Sequence, residues 1–342
     1  MAQPQPPLDR LEAETGVDLS DLRVIQEHSA FVTNALREAC ANEIDLPDGA
    51  AVVIVGSIGR GDATSGSDVD HLIVTLNEAG ASQSGRAAND AARAAVSDIV
   101  LRLGMRLPSG GGAFDEVVWV GELTSKVGGD AETNSLLTRR MLLLLESKPL
   151  LGDEVWQEAL DEIRAGYLEL GGPVKDRRPP RFLLNDIIRY WRTICVDFEG
   201  KMRGGEGDGW GIRNAKLRTV RKMLFVGGLL PVLECHRLDG VAIDAFLRDR
   251  FTMTPVERVA EAALAAGAAA DGAQALRAYG RFLQLVDDES SRRELDELRE
   301  EERASSALWA EVKAMGEEFQ KGLLGVLFSP SLSPVIREYA IF

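Results

Sequence analysis

The sequence predicts an α+β fold in which a domain of short strands and helices is followed by a mostly helical region. Three strand-like apolar runs, separated by Gly-rich or helical segments, lie within the first 125 residues. From residue 133 onward the apolar residues recur mainly at helical spacing. Strands first and helices afterwards is the order expected of an α+β chain.

The first elements follow one another closely. Residues 1–8 are rich in Pro, and we predict an unordered start. Ser20 is a candidate N-cap for a helix that extends to about Asn42. After a Pro-Asp-Gly turn, the β-branched run at residues 51–55 predicts a buried strand.

The remaining elements complete the prediction. A Gly-rich stretch leads to an alternating segment, residues 69–76, which predicts a second strand. A helix is expected over 85–103 and a third strand over 116–123. Further helices are expected up to about residue 327, the first of them at 134–146, 154–168, 181–202 and 212–225.

Composition is that of an ordinary folded protein. The chain has 342 residues, of which 45% are hydrophobic and 27% charged, and this length suggests two domains. Cys40, Cys195 and Cys235 are widely spaced with no CxxC pair, which argues against a disulfide framework or a structural zinc site and favours the cytoplasm. The longest apolar run, residues 141–145, is too short to cross a membrane, so we expect no membrane partner.

The charge is acidic overall but unevenly distributed. A formal net charge of -15 argues against a protein whose main task is to grip duplex nucleic acid, because phosphate contacts need an electropositive face. Residues 175–222 are an exception, with 13 Lys and Arg against 6 Asp and Glu. This basic segment is a candidate for contact with phosphates.

The most informative segment, residues 56–70, lies between the first two predicted strands. Ser57 and Asp68 are separated by ten residues, and Asp68 and Asp70 lie two apart at the start of a strand, where alternate side chains share a face. Paired carboxylates suit Mg²⁺ that is completed by substrate phosphates. The turn at Gly56 and Ser57 can hold a triphosphate through backbone N–H groups and a hydroxyl. The pattern indicates phosphoryl transfer.

This pattern resembles the DNA polymerase β-like nucleotidyltransferase superfamily, whose signature is Gly-Ser, a spacer of about ten residues and Asp-x-Asp. Within that superfamily, the run at residues 128–153 is similar to a helix of the bacterial uridylyltransferases that modify PII nitrogen-regulatory proteins. The resemblance covers residues 50–155. It implies a small mixed sheet with helices on one side, followed by a helical domain.

The resemblance also implies domain boundaries and a chemistry. We expect a disordered N-terminus at 1–18, a nucleotidyltransferase catalytic domain at 19–130 and a helical substrate-binding domain at 131–342. Members of the superfamily transfer a nucleoside monophosphate from an NTP, such as ATP, to an acceptor and release pyrophosphate. They use two divalent cations, Mg²⁺ or Mn²⁺.

Site residues can be carried over from the superfamily motif. Gly56 and Ser57 would contact the triphosphate, and Asp68 and Asp70 would hold the metals. A third acidic residue on a later strand normally completes such a site. The candidates are Asp115, Glu116 and Glu122, of which Glu116 is favoured because it begins the apolar run.

Several cations are further candidates for phosphate contact. Arg60, within the glycine-rich turn, is expected to contact a phosphate or to cap the turn. Asn185, Arg189 and Arg192 share one face of a predicted helix. On the next predicted helix, Arg218 and Arg221 share one face by their spacing. The expected contacts to the β and γ phosphates or to an acceptor's phosphates on that helix are Lys216, Arg218, Arg221 and Lys222. Pairing of these cations with acidic residues of the same chain is an equally weighted alternative.

The function predicted first is transfer of a nucleoside monophosphate to a protein or small-molecule acceptor. A second enzymatic hypothesis is addition of nucleotides to an RNA 3′ end, as in toxin-like relatives, with the basic segment contacting RNA. Synthesis of a cyclic oligonucleotide is a third. The non-enzymatic alternative is a catalytically silent regulator that binds a nucleotide.

Overall fold

The structure is a computed structural model that describes residues 5–78, 83–108, 117–170, 175–203 and 209–340, with only the backbone of residues 83–86. The chain divides into two compact units. One, here called the sheet unit, is Gln26–Pro173. The other, the helical unit, comprises Met1–Ile25 and Val174–Phe342.

The sheet unit is built on one four-stranded mixed sheet. Its strands are β1 (Ala50–Ile54), β2 (His71–Thr75), β3 (Val117–Trp119) and β4 (Lys148–Leu151). They lie in the order β3-β2-β1-β4, and β1 is antiparallel to both neighbours, whereas β2 and β3 are parallel. The predicted α+β fold, with a mixed sheet before a helical region, is confirmed.

Six helices accompany these strands in the described part of the sheet unit, the first of which begins in the helical unit. They are α2 (Ser20–Glu43), α3 (Gly56–Arg60), α4 (Gln83–Arg102), α5 (Val120–Ser125), α6 (Asn134–Glu146) and α7 (Asp153–Glu169). The Thr133 hydroxyl caps α6 by accepting from the Leu136 N–H at 3.2 Å.

Aliphatic side chains from two strands and two helices of this unit fill one core. Val52, Ile54 and Ile73 of the sheet pack with Leu36 of α2 and Val96 of α4, and all five are fully buried. This packing explains why the β-branched run after the turn forms a central strand.

Two strand predictions need correction. The third strand was expected over 116–123, but it ends at Trp119 and residues 120–125 form α5. Gly121 allows this turn, since a Cβ atom there would lie 2.6 Å from the Trp119 ring. The fourth strand, Lys148–Leu151, was not predicted, because it is short and contains Pro149, which only an edge strand tolerates.

The helical unit consists of helices throughout its described residues. Besides the start of α2 and two short 3₁₀ turns, it contains α1 (Pro7–Thr15), α8 (Arg181–Arg203), α9 (Trp210–Arg218), α10 (Val220–Glu234), α11 (Gly240–Thr252), α12 (Pro255–Ala265), α13 (Ala269–Asp287), α14 (Glu289–Glu297), α15 (Ala307–Leu327) and α16 (Ser333–Tyr339). None of the helices within the described ranges is long and apolar enough to span a membrane.

Two expectations for this unit also change. Residues 7–15 form a helix within the segment predicted to be disordered, with Pro7 in its first turn and Leu8 and Leu11 buried. The helix expected over 212–225 breaks at Thr219, whose φ of -121° and ψ of -81° are not helical. Arg218 and Arg221 therefore lie on successive helices instead of one face. The domain boundaries themselves stay a prediction.

Candidate active site

The turn after β1 brings Gly56 against Asp70. Val55 is extended and donates its N–H to the Asp70 carbonyl at 3.0 Å, which fixes the two chain segments side by side. Gly56 then adopts a φ of +69°, a conformation that L side chains rarely take. A Cβ atom at Gly56 would lie 2.5 Å from Oδ2 of Asp70. The residue must be glycine for both reasons.

Asp68 and Asp70 flank a buried residue. Val69 is 1% exposed and belongs to the core, whereas both aspartates are half-buried. The Val69 N–H donates to the Arg106 carbonyl at 2.8 Å, and Asp68 forms a parallel β-bridge with Arg106. Alternation along an extended chain therefore directs the two carboxylates away from the core. The pairing of these two carboxylates on one side stays a prediction, which the burial of Val69 between them supports.

His71 lies on the other side of the strand. It is opposite Ile54 in the β1–β2 register, and its ring Nδ1 lies 3.4 Å from the Val69 carbonyl oxygen. Burial lowers the pKa of His71. The imidazole is thus a neutral core group.

Ser57 is the second residue of the short helix α3. Its backbone carbonyl accepts from the Asp62 N–H at 3.0 Å, which closes the turn. Its side chain is half-buried, and the hydroxyl makes no hydrogen bond with any part of the chain that the structure describes. The predicted triphosphate contact at Gly56 and Ser57 stays a prediction that this geometry permits.

Arg60 takes part in a buried ion cluster. Its Nε lies 3.0 Å from an Asp62 carboxylate oxygen, and its Nη1 donates to the Glu146 carboxylate. The three side chains are 7%, 3% and 1% exposed. Of the two roles expected of Arg60, this pairing with two carboxylates favours stabilisation of the turn, and the phosphate contact stays a prediction.

Glu146 and Asp62 were missed as partners in the sequence analysis. Glu146 ends the Leu-rich helix α6, where a charged residue directly after a buried apolar run was the available signal. A Cβ atom at Gly59 would clash with the Glu146 carbonyl oxygen, so α3 lies directly on the end of α6. This packing holds the turn that carries Ser57.

The third acidic group is not located. Asp115 and Glu116, including the favoured candidate, lie outside the described residues. Glu122 lies on α5, and its carboxylate accepts from Lys126 Nζ at 2.6 Å. Within the described ranges, no group of three or more His, Cys, Asp or Glu side chains is arranged to hold a metal ion.

The donor set at Asp68 and Asp70 nevertheless suits a divalent cation. Both are carboxylates of intermediate exposure on one side of an extended segment, and hard oxygen ligands of this kind are those that Mg²⁺ and Mn²⁺ prefer. The missing Cβ of Gly56 is what allows the Asp70 carboxylate to lie directly against the turn. These two residues would hold the metal, completed by oxygens from the substrate.

The four predicted contacts in the basic segment belong to the helical unit. Lys216 and Arg218 lie on α9, and Arg221 and Lys222 on α10. Arg218 Nε donates to Asn214 Oδ1 at 2.7 Å, and Lys222 Nζ donates to Gln320 Oε1 at 2.7 Å. Burial lowers the pKa of Lys222, and the nearby charge of Arg218 lowers it further. Their contact with a triphosphate stays a prediction.

Comparison with known families agrees with the geometry of the sheet unit. Residues 34–102 match the family model described as a nucleotidyltransferase domain. The matched segment contains β1, α3 and β2, and with them Gly56, Ser57, Asp68 and Asp70. No curated protein matches the chain. The segment that carries the candidate site is thus similar to a nucleotidyltransferase domain, and at the level of that family it supports a transferase that uses a nucleoside triphosphate.

Proposed function

We propose that this protein transfers a nucleoside monophosphate from an NTP to a protein or small-molecule acceptor and releases pyrophosphate. The observation that carries the proposal is the contact between Gly56 and Asp70, because it joins the glycine turn to the paired carboxylates in one place. Neither feature alone is specific for nucleotidyl transfer. Their juxtaposition within the segment that matches the family is what supports the reaction.

Each residue has a separate task in this proposal. The Ser57 hydroxyl and the backbone of the turn at Gly56 bind the triphosphate. Asp68 and Asp70 hold Mg²⁺ or Mn²⁺. When bound, the divalent cations supply neutralisation of charge on the reacting phosphoryl oxygens. The buried pairing of Arg60 with Glu146 keeps the turn in place while ligands bind and leave.

The reaction balances without a further reactant. An oxygen of the acceptor forms a bond to the α-phosphorus of the NTP, and the bond from that phosphorus to the bridging oxygen breaks. Pyrophosphate leaves with the electron pair of that bond, and the acceptor's proton passes to water. The residues that position the acceptor are not assigned in this proposal.

The experiment that tests the proposal is transfer of label from each α-labelled NTP, including UTP and ATP. Purified protein is incubated with Mg²⁺ or Mn²⁺, alone and with cytoplasmic extract, beside the D70N variant. Label in a protein or small molecule that depends on Asp70 supports the proposal. Uridylyl transfer to a protein would extend the similarity to the PII-modifying enzymes.

The other outcomes separate the alternatives. Label at RNA 3′ ends would replace the proposed acceptor with RNA, and a soluble product formed without any acceptor would indicate an oligonucleotide synthase. Nucleotide binding with no transfer under any condition would contradict the proposed reaction and favour a silent regulator.

A further inference from the structure

We propose that the helical unit carries a second, metal-independent site, formed by Arg192, Arg218 and Lys222, for the phosphate groups of a small phosphorylated ligand. The three residues are here called the cationic cluster. They come from α8, α9 and α10 in turn, so the site is built by packing and not by one run of sequence.

The fold holds these helices together at the cluster. The indole of Trp191 on α8 stacks on the Phe225 ring of α10, with centroids 5.3 Å apart and planes inclined by 20°. Arg192 follows Trp191 directly, and Lys222 lies about one turn before Phe225 on α10. The break at Thr219 separates Arg218, the last residue of α9, from Lys222 in the first turn of α10.

Electrostatic effects agree with this closeness. Burial raises the pKa of the Cys195 thiol, one turn after Arg192, while Arg192 and Lys222 act on it in the opposite direction. Burial is the main cause of the lowered pKa of Lys222, and the positive charge of Arg218 lowers it further. Cys195 is therefore within electrostatic range of Arg192 and Lys222, as well as of Glu199, which raises its pKa. Arg218 is within electrostatic range of Lys222.

In the described part of the chain, no carboxylate forms an ion pair with the three cations, although Glu199 acts electrostatically on the neighbouring Cys195. Arg218 and Lys222 donate instead to the neutral side chains of Asn214 and Gln320, each at 2.7 Å. Other cations of the helical unit do find carboxylates, such as Arg277 with Glu318 at 2.8 Å. Within the described residues, these three cations form no ion pair, and this gives the acidic chain, with its net charge of -15, an electrostatic reason to bind an anion there.

The ligand that fits is small and carries phosphate. Arg guanidinium groups and Lys ammonium groups together are the usual partners of phosphate oxygens. A nucleic acid strand would need a longer electropositive surface. Here the neighbouring chain is acidic, since Glu317 and Glu318 precede Gln320 on α15 and residues 287–302 carry 9 acidic side chains against 3 basic ones.

This inference goes beyond the proposed reaction, because binding at the cationic cluster requires neither Asp68 nor Asp70. It brings together Arg192, Arg218 and Lys222, which the sequence placed on two separate predicted helices. It also specifies that Cys195 lies beside the ligand. Cys195 is only partly buried, whereas Cys40 and Cys235 are fully buried, so it is the cysteine that a thiol reagent reaches in the folded protein.

The test measures binding of inorganic triphosphate to the full chain in EDTA by calorimetry, and its effect on alkylation of Cys195 by iodoacetamide. We expect saturable binding and at least fivefold slower alkylation in the wild type. The R218Q/K222Q variant should lose at least tenfold in affinity and all protection. R303Q/K313Q is the matched control, since it removes the same charge from exposed ion pairs with Glu300 and Glu317, and it should bind within twofold of the wild type.

The outcomes are distinct from those of the proposed reaction, because no turnover and no metal is involved. Equal binding by R218Q/K222Q and wild type, absence of binding in the wild type, or preference for single-stranded RNA over triphosphate would each overturn the inference. A second arm identifies the source of the phosphates in an active protein. An unchanged KM for the NTP in R218Q/K222Q supports a site separate from the donor nucleotide, and a raised KM would overturn that separation.

Discussion

Gly56 lies so close to Asp70 that a single added methyl group would meet the carboxylate oxygen at 2.5 Å. The backbone hydrogen bond from Val55 to Asp70 fixes this approach. The glycine turn and the carboxylates of the candidate site are thus one structural unit, and a change at one of them acts on the other.

The G56A variant tests this relationship, with G16A as its control. Both glycines have nearly the same positive φ, +69° and +67°, but no atom lies within 4 Å of the Cβ position at Gly16. We expect G16A to lower the free energy of unfolding by about 1 to 2 kcal/mol through backbone strain alone. G56A should cost more and should also displace Asp70, so that nucleotidyl transfer falls at least tenfold. Equal losses of stability and full activity in G56A would contradict the account.

Replacement of Arg60 tests the buried ion cluster. R60M leaves Glu146 and Asp62 without their cation, and breaking a buried pair in this way typically costs about 3 to 5 kcal/mol. The double variant R60M/E146Q should recover part of that loss, because one of the stranded charges is removed. Chemical denaturation of the wild type, both single variants and the double variant gives the coupling energy. A coupling near zero would show that the pairing does not stabilise the turn.

Ser57 tests the triphosphate contact separately from the fold. Its hydroxyl makes no hydrogen bond within the described chain, so S57A should leave the melting temperature within about a degree. Loss of one hydrogen bond to a charged group corresponds to about 1.5 to 3 kcal/mol. We therefore expect the KM for the NTP to rise by roughly 10- to 100-fold. An unchanged KM would remove Ser57 from the binding site.

Glu234 predicts a pH dependence of stability in the helical unit. Burial raises the pKa of its carboxyl to about 7, against the lowering influence of Arg250 and Arg237, and Glu261 raises it further. Because its pKa is raised from the ordinary 4.5, Glu234 is protonated in the folded protein over a pH range in which it is ionised in the unfolded chain. The folded state is therefore fully stable with respect to this group below pH 4.5, and it loses stability as the pH rises through 7. E234Q removes the ionisation and should stabilise the protein at pH 8 by up to about 3 kcal/mol, with little effect at pH 5.

Thermal unfolding at pH 5 and pH 8 measures this difference. E317Q is the matched control, because Glu317 lies in an exposed pair with Lys313. The control should show the same stability difference as the wild type between the two pH values. A pH difference in E234Q as large as that of the wild type would contradict the assignment.

Features that depend only on neighbouring residues in the sequence could be predicted from it. The β-branched run before Gly56 became β1, and the alternation of Asp68, Val69 and Asp70 placed the valine in the core as expected. The sheet's fourth strand was missed, because Lys148–Leu151 is too short and too interrupted by proline to show a strand pattern, and only pairing with β1 defines it.

The features that could not be predicted are those that depend on contacts between residues far apart in the sequence. Arg60 is a cation in a glycine turn, and nothing nearby shows that Glu146, 86 residues later, neutralises it. Likewise, the break at Thr219 separates Arg218 from Arg221, although helical spacing put them on one face. Long-range packing decided both, and periodicity carries no information about it.

Release of pyrophosphate from an NTP tests the central claim most directly. Wild-type protein, D68N, D70N and the control D153N, which changes an exposed aspartate of α7, are assayed with each NTP and Mg²⁺ or Mn²⁺ in the presence of extract. Asp68 and Asp70 are half-buried and outside the core, so their variants should keep the melting temperature of the wild type. The account predicts release by the wild type and D153N, and loss of at least a thousandfold in D68N and D70N. Full activity in a folded D70N variant would contradict it.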